Sequence, residues 1–349
     1  MSKIYLHLSS FQIITLGFLI VILTGSCLLM LPISSQSGQY TSFIDALFTA
    51  TSAVCVTGLV VYDTATYWSY FGQLILLILI QIGGLGVVTI AISLAILSGK
   101  KVGLIQRSAM QDAIAAPKIS GIVRMTVFIL KGAAIIECIA TILLSIVFIP
   151  SYGIVKGIWY SLFHAISAFC NAGFDLMGIH QPFSSLTGYY QNPLVNVVIM
   201  GSIIIGGIGF LSWEDFIMYK WKIKKYRLQT KIILLTTVLL LVFPAIFFYT
   251  TQFQNYPFPE RLLLSLFQSV TPRTAGFNTA DLTTFTQPGI MVLILLMMIG
   301  GSPGSTAGGM KITTIVVMVL STVSVFRRKE NIHCFKRRIA IQTVSNASA

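Results

Sequence analysis

The sequence predicts an all-α polytopic membrane protein made of tandem helix–pore-loop–helix repeats around a pseudo-fourfold axis, with a broken second helix in the third repeat. Three observations predict this architecture: the composition, the placement of basic residues and an internal repeat. Of 349 residues, 55% are hydrophobic and only 9% are charged, and the mean hydropathy is +0.86. Soluble globular proteins carry roughly a quarter of charged residues. Most of the surface is therefore expected to contact lipid.

Basic residues are concentrated in three clusters of six, and acidic residues lie in the loops that alternate with these clusters. The basic clusters are Lys100, Lys101, Arg107, Lys118, Arg124 and Lys131; Lys220, Lys222, Lys224, Lys225, Arg227 and Lys231; and Arg327, Arg328, Lys329, Lys336, Arg337 and Arg338. Five of the ten acidic residues lie in these alternate loops: Asp45, Asp63, Asp175, Glu260 and Asp281. This pattern is typical of positive loops facing the cytoplasm, and it places the N-terminus, with Lys3, on that side. We favour this interpretation over a nucleic-acid-binding surface.

A glycine-centred segment occurs three times. Residues 47–59 read LFTATSAVCVTGL, residues 162–174 read LFHAISAFCNAGF and residues 266–277 read LFQSVTPRTAGF. Gly58, Gly173 and Gly276 correspond, with a one-residue slip in the third copy. Self-similarity at a regular period indicates repeated structural units. We assign the repeats to residues 1–110, 111–225 and 226–330, followed by a cytoplasmic tail at 331–349.

Each repeat has the same predicted order of elements. A first span (11–33, 125–149, 228–250) precedes a short apolar segment (42–54, 157–169, 260–271), the glycine loop and a second span (70–97, 194–218, 288–326). A helix needs about 20 residues to cross the hydrocarbon core. The short segments are therefore expected to enter and leave the membrane on the same side.

Non-helical backbone at membrane depth is tolerated only where it is buried in protein or lines water. Three equivalent glycine loops therefore predict a common pore, in which backbone carbonyls replace the hydration shell of a cation. The predicted filter residues are Val56, Thr57, Gly58, Asn171, Ala172, Gly173, Thr274, Ala275 and Gly276. The outer carboxylates of Asp63, Asp175 and Asp281 would raise the local cation concentration.

The second span of the third repeat contains a predicted gate loop at residues 300–311. Residues 300–309 hold five glycines and one proline. Each glycine destabilises a helix by about 1 kcal/mol and the proline by about 3 kcal/mol. We hypothesise that this non-helical loop obstructs the pore; a structural kink is the alternative. The gate residues are Gly300, Gly301, Ser302, Gly304, Ser305, Thr306, Gly308, Gly309 and Lys311.

Two enzyme motifs in this loop are rejected. The GxSxG match at 300–304 follows no strand, and a phosphate loop would need GK where Met310 stands. We therefore expect no enzyme. His164 is expected to pack or hydrogen-bond, and Arg273 to brace the third loop rather than repel ions. The spacing leaves open whether Lys131 and Glu137 pair.

TSAVCVTGL, SAFCNAGF, TPRTAGF and GGSPGSTAGGMK resemble the filter and loop motifs of the Trk/Ktr/HKT superfamily of potassium transporters, over essentially the whole chain, with the KtrB-type subunit most similar. The resemblance implies a K⁺-channel-like fold, potassium uptake across the plasma membrane, K⁺ at the filter carbonyls, a homodimer and a cytoplasmic nucleotide-binding regulatory ring of the KtrA/TrkA type, with Na⁺ as an activator. Gly58 favours potassium, because serine at that position accompanies sodium preference in the plant branch.

Extrapolating the repeat puts a fourth glycine loop near residues 380–390, about one period after Gly276, beyond Ala349. This leaves three alternatives for the chain: a fragment, a natural truncation, or a chain completed by another subunit. The rival function is accordingly a non-conducting membrane subunit that needs a fourth repeat from elsewhere. A membrane enzyme is the weakest alternative.

Overall fold

The computed structural model describes residues 9–99, 102–116, 120–179, 181–328, 331–335 and 337–348. Lys3, Lys100, Lys101, Lys118, Lys329 and Lys336 of the predicted charge pattern lie outside these residues. The helices are α1 (Ser10–Leu29), α2 (Phe43–Val54), α3 (Thr64–Tyr67), α4 (Tyr70–Leu85), α5 (Val87–Leu97), α6 (Leu104–Ala113), α7 (Ile122–Tyr152), α8 (Ile154–Phe169), α9 (Pro193–Ile208), α10 (Phe210–Tyr219), α11 (Leu228–Thr251), α12 (Phe258–Val270), α13 (Gln287–Met298), α14 (Ile312–Phe326) and α15 (Ile341–Ser348). Strands β1 (His333–Cys334) and β2 (Arg337–Arg338) form an antiparallel pair.

Among the described residues, helices α1, α7 and α11 are long and apolar enough to cross a membrane, and the count rises to five if each of two bent helix pairs is one span. Only 17–28% of the most apolar stretch of these three helices is buried inside the protein. Large apolar side chains such as Ile20, Ile142 and Phe243 point outward instead. An apolar face of this kind is stable only against lipid or another protein.

The three short helices α2, α8 and α12 each begin and end within three residues of the boundaries predicted for the short segments. Ser42 caps α2 by accepting the backbone N–H of Asp45. Gly153, at φ 81°, separates α8 from α7, and these two helices pack closely against each other. A proline in the first turn begins α12, where its missing N–H and fixed φ do no harm.

A broken second helix was predicted for the third repeat, but the second helices of the first two repeats are bent as well. The apolar runs 70–97 and 194–218, predicted as continuous spans, are bent by 97° and 94° between α4 and α5 and between α9 and α10. Gly86 and Gly209 occupy the breaks at φ 87° and 95°, a conformation that other residues rarely adopt. In the third case residues 299–311 are non-helical between α13 and α14.

Glycines in α4 and α9 let these helices approach the ends of the short helices. A Cβ on Gly83 would collide with the carbonyl oxygen of Val54, and a Cβ on Gly206 with that of Phe169. Val54 and Phe169 are the last residues of α2 and α8. The recurring Gly-rich points of the sequence therefore serve close packing beneath the glycine loops.

Candidate functional site

The three glycine loops (56–58, 171–173 and 274–276) share one backbone pattern. Val56, Asn171 and Thr274 have φ of 57°, 57° and 70°, and the glycine two residues later has φ of 74°, 71° and 84°. A non-glycine residue at positive φ is uncommon, and a β-branched one such as Val56 is a genuine outlier. Strain of this kind persists only where the surrounding structure enforces it, and it is concentrated at functional sites.

The glycines of the three loops lie side by side in chain order, with the second loop in the middle. A Cβ on Gly58 would lie 2.7 Å from the carbonyl oxygen of Ala172, and a Cβ on Gly173 would collide with that of Ala275. The atom nearest to a Cβ on Gly276 is the Cα of Gly173, at 3.4 Å. The three glycines are therefore brought together as an arc, in which a side chain at Gly58 or Gly173 would press on the backbone of the neighbouring loop.

A serine or threonine near the start of the second and third loops holds the loop backbone, the hydroxyl of the equivalent Ser52 of the first loop contacts a loop side chain instead, and sequence reasoning missed these residues. Ser167 Oγ donates to the carbonyl of Phe174 at 2.7 Å, and Thr271 Oγ1 donates to that of Phe277 at 2.5 Å. In the first loop, Thr57 Oγ1 donates to Ser52 Oγ at 2.9 Å. The sequence signal is a Ser or Thr six residues before Gly58 and Gly173 and five residues before Gly276. The residue that the third copy lacks is therefore missing between this hydroxyl residue and the glycine.

A cavity of about 360 Å³ lies between the first glycine loop and residues 304–308, and we call it the loop cavity. Its wall includes Val54, Cys55 and Val56, where α2 ends, together with residues 83–89 around the Gly86 bend. The C-terminal end of a helix carries roughly half a negative charge. The loop cavity therefore combines a mainly apolar wall with a helix end that favours a cation.

The loop 300–311 is closed by its own hydrogen bonds. Gly300 N–H donates to the carbonyl of Met310 at 3.0 Å, and Gly301 N–H to that of Gly308 at 3.3 Å. The ammonium of Lys311 donates to the carbonyl of Ala307 at 2.7 Å. A Cβ on Gly300 would collide with the Gly308 oxygen, so the glycines are needed for the two sides of the loop to meet.

The same loop is fastened to the second repeat rather than to its own. Ser302 donates to the carbonyl of Gly207 from both its N–H, at 3.0 Å, and its Oγ, at 2.6 Å. Phe210 N–H donates to the carbonyl of Gly304 at 2.8 Å. Ser302 is fully buried. The predicted gate residues thus occupy the bend between α9 and α10, below the second glycine loop.

The three predicted outer carboxylates differ in environment. Asp63 is buried, and its oxygens accept hydrogen bonds from the N–H groups of Ala65, Thr66 and Phe183 at 2.8–3.0 Å. These backbone donors join the outer loops of two repeats through the buried Asp63 carboxylate, and the part predicted for Asp63 in raising the local cation concentration stays a prediction. Asp281 is exposed, and hydrogen bonds from Thr283 lower its pKa.

Burial raises the pKa of Asp175, in the loop after the second glycine, from 3.8 to about 6. The folded state thus binds this proton more tightly than the unfolded chain, and stability falls as the pH rises from about 4 through 6. Asp175→Asn is expected to reduce the decrease of the melting temperature as the pH rises across this range. Thermal unfolding of the purified protein in detergent checks this. The control is Asp281→Asn. Because the pKa of Asp281 is lowered, this variant is expected to keep the pH dependence of the melting temperature in this range. An unchanged pH dependence in Asp175→Asn would contradict the assignment.

Four further polar residues were considered from sequence: His164, Lys131, Glu137 and Arg273. His164 is buried; its Nε2 accepts the Leu176 N–H at 3.3 Å and its Nδ1 lies 2.7 Å from the Tyr160 carbonyl, so it hydrogen-bonds the loop as expected. Glu137 accepts hydrogen bonds from Gln81 at 2.9 and 3.2 Å, and no Lys131 ion pair occurs among the described residues.

Arg273 is buried beside the third glycine loop. Its Nε has no hydrogen-bond partner within the described residues. The expected bracing of the loop through carboxylates or carbonyls is therefore not seen for this nitrogen.

Comparison with known proteins places this architecture in a family. The family model described as "TrkH: Cation transport protein" matches residues 6–348. The potassium/sodium uptake protein NtpJ of Enterococcus hirae is 42% identical over 346 residues, which cover 98% of this chain and 75% of that protein. The Ktr system potassium uptake protein B of Bacillus subtilis is 40% identical, over 97% of this chain and 76% of its own length.

The fold also matches a solved structure. The crystal structure of the potassium transporter TrkH from Vibrio parahaemolyticus superposes with a TM-score of 0.67 at 21% identity, covering 95% of this chain and 67% of that one. At this identity the match concerns the fold alone. With a family model spanning nearly all its residues and relatives of 40–42% identity, the chain belongs to the TrkH family of cation transport proteins and is a mostly helical, polytopic membrane protein.

Proposed function

We propose that the chain takes up potassium across the plasma membrane through a gated pore whose selectivity filter is built from the three glycine loops. The observation that carries this proposal is the threefold recurrence of a positive-φ residue, a small or polar residue and a positive-φ glycine in loops that touch one another. Relatives named as potassium or potassium/sodium uptake proteins support the choice of ion. The repeats occupy residues 1–110, 111–225 and 226–330.

In this proposal the carbonyl oxygens of residues 56–58, 171–173 and 274–276 replace the hydration shell of K⁺. The negative ends of α2, α8 and α12 lie just before these loops and stabilise the cation below them. The absence of side chains at Gly58, Gly173 and Gly276 keeps the path open, because a Cβ at the first two would press on a neighbouring carbonyl.

The loop 300–311 serves as the gate. Residues 304–308 form one wall of the loop cavity, and Val56 of the first glycine loop forms another, so a small displacement of the loop changes the space beneath the filter. Its fastening by hydrogen bonds, rather than by a continuous helix, allows it to move without unfolding α13 or α14. The positive clusters support a cytoplasmic location of the N-terminus and of the tail 331–349.

Partners follow from the family rather than from contacts in the chain. The protein works as a homodimer with a cytoplasmic nucleotide-binding ring of the KtrA/TrkA type, and Na⁺ acts as an activator. The similarity to potassium uptake protein B of Ktr systems supports this part of the proposal. Pull-down of the purified protein with such a ring protein, with and without nucleotide, tests it.

A second candidate is a membrane subunit that conducts only when a further filter segment joins it. The open arc favours this reading: a Cβ on Gly58 and one on Gly276 would both have the second loop as nearest neighbour, so the two ends of the arc do not meet within the described residues. A cation needs oxygens on all sides to lose its hydration shell.

Rubidium uptake in a potassium-transport-deficient strain separates these candidates. The chain itself is expected to restore uptake, and Gly58→Asp to abolish it, because the new side chain would start 2.7 Å from the Ala172 oxygen at φ 74°. Gly201→Ala, whose Cβ meets no atom within 4 Å, is the matched control. No uptake by any of the three proteins, with all of them present in the membrane, would favour the non-conducting subunit.

A further inference from the structure

Thr306, in the loop 300–311, hydrogen-bonds directly to a residue of the second glycine loop. The amide Nδ2 of Asn171 donates to Thr306 Oγ1 at 2.9 Å, and that hydroxyl donates to the carbonyl of Phe169 at 2.8 Å. The backbone N–H of Thr306 donates to the carbonyl of Gly206 at 3.2 Å. One threonine of the third repeat thus joins the end of α8, the bend of α9 and the first residue of a glycine loop.

We propose that Asn171 and Thr306 form a latch that couples ion occupancy of the second glycine loop to the position of the loop 300–311. The inference rests on the proposed function, since it takes the second glycine loop as part of the filter and the loop 300–311 as the gate. It adds a specific hydrogen bond through which ion occupancy of the second glycine loop affects the position of the loop 300–311. The second repeat is thus the repeat that responds to the ion.

The latch is specific to the second repeat. The equivalent positive-φ residues are Val56, which has no side-chain donor, and Thr274, whose Oγ1 has no hydrogen-bond partner among the described residues. Asparagine is also among the few residues other than glycine that tolerate this backbone conformation. Asn171 therefore combines a strained backbone position with a side chain that reaches the gate.

The contact is built so that it can be released. Asn171 is 1% exposed, and its Oδ1 has no partner within the described part of the chain, so a single hydrogen bond holds the amide. One neutral hydrogen bond contributes about a fivefold change in an equilibrium. A shift of the Asn171 backbone when the ion leaves the second glycine loop would move the amide and weaken this bond, so the bound ion favours the latched loop.

Packing leaves Thr306 little freedom otherwise. A Cβ on Gly206 would lie 2.5 Å from Thr306 Oγ1 and would also collide with the Phe169 oxygen. The glycine thus makes room for the hydroxyl at this point. Because coupling between two sites is reciprocal, an ion that favours the latched loop must itself bind more tightly when the loop is latched.

Cys55 supplies a reporter that does not depend on transport. It is exposed and lines the loop cavity together with Thr306, so loop movement changes its access. The purified protein is treated with a small methanethiosulfonate reagent in KCl or in choline chloride, and mass spectrometry follows the peptide that contains Cys55. K⁺ is expected to slow the modification about fivefold, because it stabilises the latched loop.

The variants isolate the hydrogen bond. Thr306→Val keeps the shape but removes the hydroxyl, and Asn171→Gly removes the amide without straining the positive φ; each is expected to abolish the K⁺ effect, and the double variant to behave like either one. Thr306→Ser is expected to retain it. Ser202→Ala, which removes a buried hydroxyl that bonds only within α9, is the control, and melting temperatures show that each variant is folded.

Full K⁺ dependence in Thr306→Val, or no K⁺ dependence in the unaltered protein, would overturn the latch. Rubidium flux into liposomes is measured on the same preparations. Flux without K⁺-dependent labelling would remove the latch and keep the proposed function. K⁺-dependent labelling that Thr306→Val abolishes, without flux, would keep the latch and remove conduction by this chain.

Discussion

Gly173→Ala is expected to lower rubidium uptake at least about tenfold, because two independent penalties act at the centre of the arc. A non-glycine residue in the left-handed region costs about 1–2 kcal/mol, and Gly173 has φ 71°. The new Cβ would also collide with the carbonyl oxygen of Ala275 and lie 3.0 Å from the Cα of Gly276. Relief of either strain moves a carbonyl that is proposed to coordinate the ion.

Gly201→Ala in α9 provides the matched control, since the same change of side chain meets no atom within 4 Å and alanine favours a helix. Uptake by this variant is expected to equal that of the unaltered protein. Gly276→Ala should fall between the two, because its Cβ would only approach the Gly173 Cα, at 3.4 Å, although φ 84° is unfavourable. Equal uptake by Gly173→Ala and Gly201→Ala would mean that the glycine loops are not the path of the ion.

The short helices and the glycine loops could be predicted because their signals are local and repeated. A run of about 12 apolar residues is too short to span, and a glycine at the same offset in three copies indicates one conformation. The observed α2 and α12 lie within two residues of the predictions, and α8 begins at Ile154 rather than at residue 157. These boundaries depend on Gly153 and on proline positions, which sequence shows directly.

The bends at Gly86 and Gly209 could not be predicted in the same way. Apolar residues continue on both sides of each break, so hydropathy shows one long span. The glycine-rich points were visible, but a glycine inside an apolar helix is tolerated at a cost of about 1 kcal/mol. What decides the break at Gly209 is tertiary contact: a Cβ there would lie 2.8 Å from Ser302 Oγ, in a loop more than 90 residues away along the chain.

Polar contacts between distant residues were likewise beyond the reach of sequence reasoning. Asp63 was predicted from its loop to be an outer carboxylate, but its hydrogen bond with the Phe183 N–H, 120 residues away, could not be predicted. Asn171 and Thr306 are separated by 135 residues. Each was identified as a candidate by its own motif, and their pairing depends on how the third repeat folds onto the second.

Shortening the loop 300–311 by deleting Ser305, Thr306 and Ala307 is expected to raise rubidium flux into liposomes. These residues form part of the wall of the loop cavity, and they carry hydrogen bonds to Phe169 and Gly206. Loss of two or three such bonds, at about 1 kcal/mol each, would shift a closed loop toward open by about 30- to 160-fold. The increase is expected without the cytoplasmic ring protein.

Ser305→Ala distinguishes the effect of deleting three residues of the loop from the effect of losing a single hydrogen bond within it. Its hydroxyl donates only within the loop, to the carbonyl of Ser302 at 2.6 Å, so this variant should raise flux far less than the deletion. Retention of K⁺ over Na⁺ preference in the deleted protein is also expected, because the glycine loops that are proposed to select the ion are left intact. Unchanged flux in a folded deletion variant would assign the loop a structural role in packing α13 and α14 against the second repeat. Increased flux with lost selectivity would instead mean that the loop supports the filter, since removal of Thr306 frees Asn171.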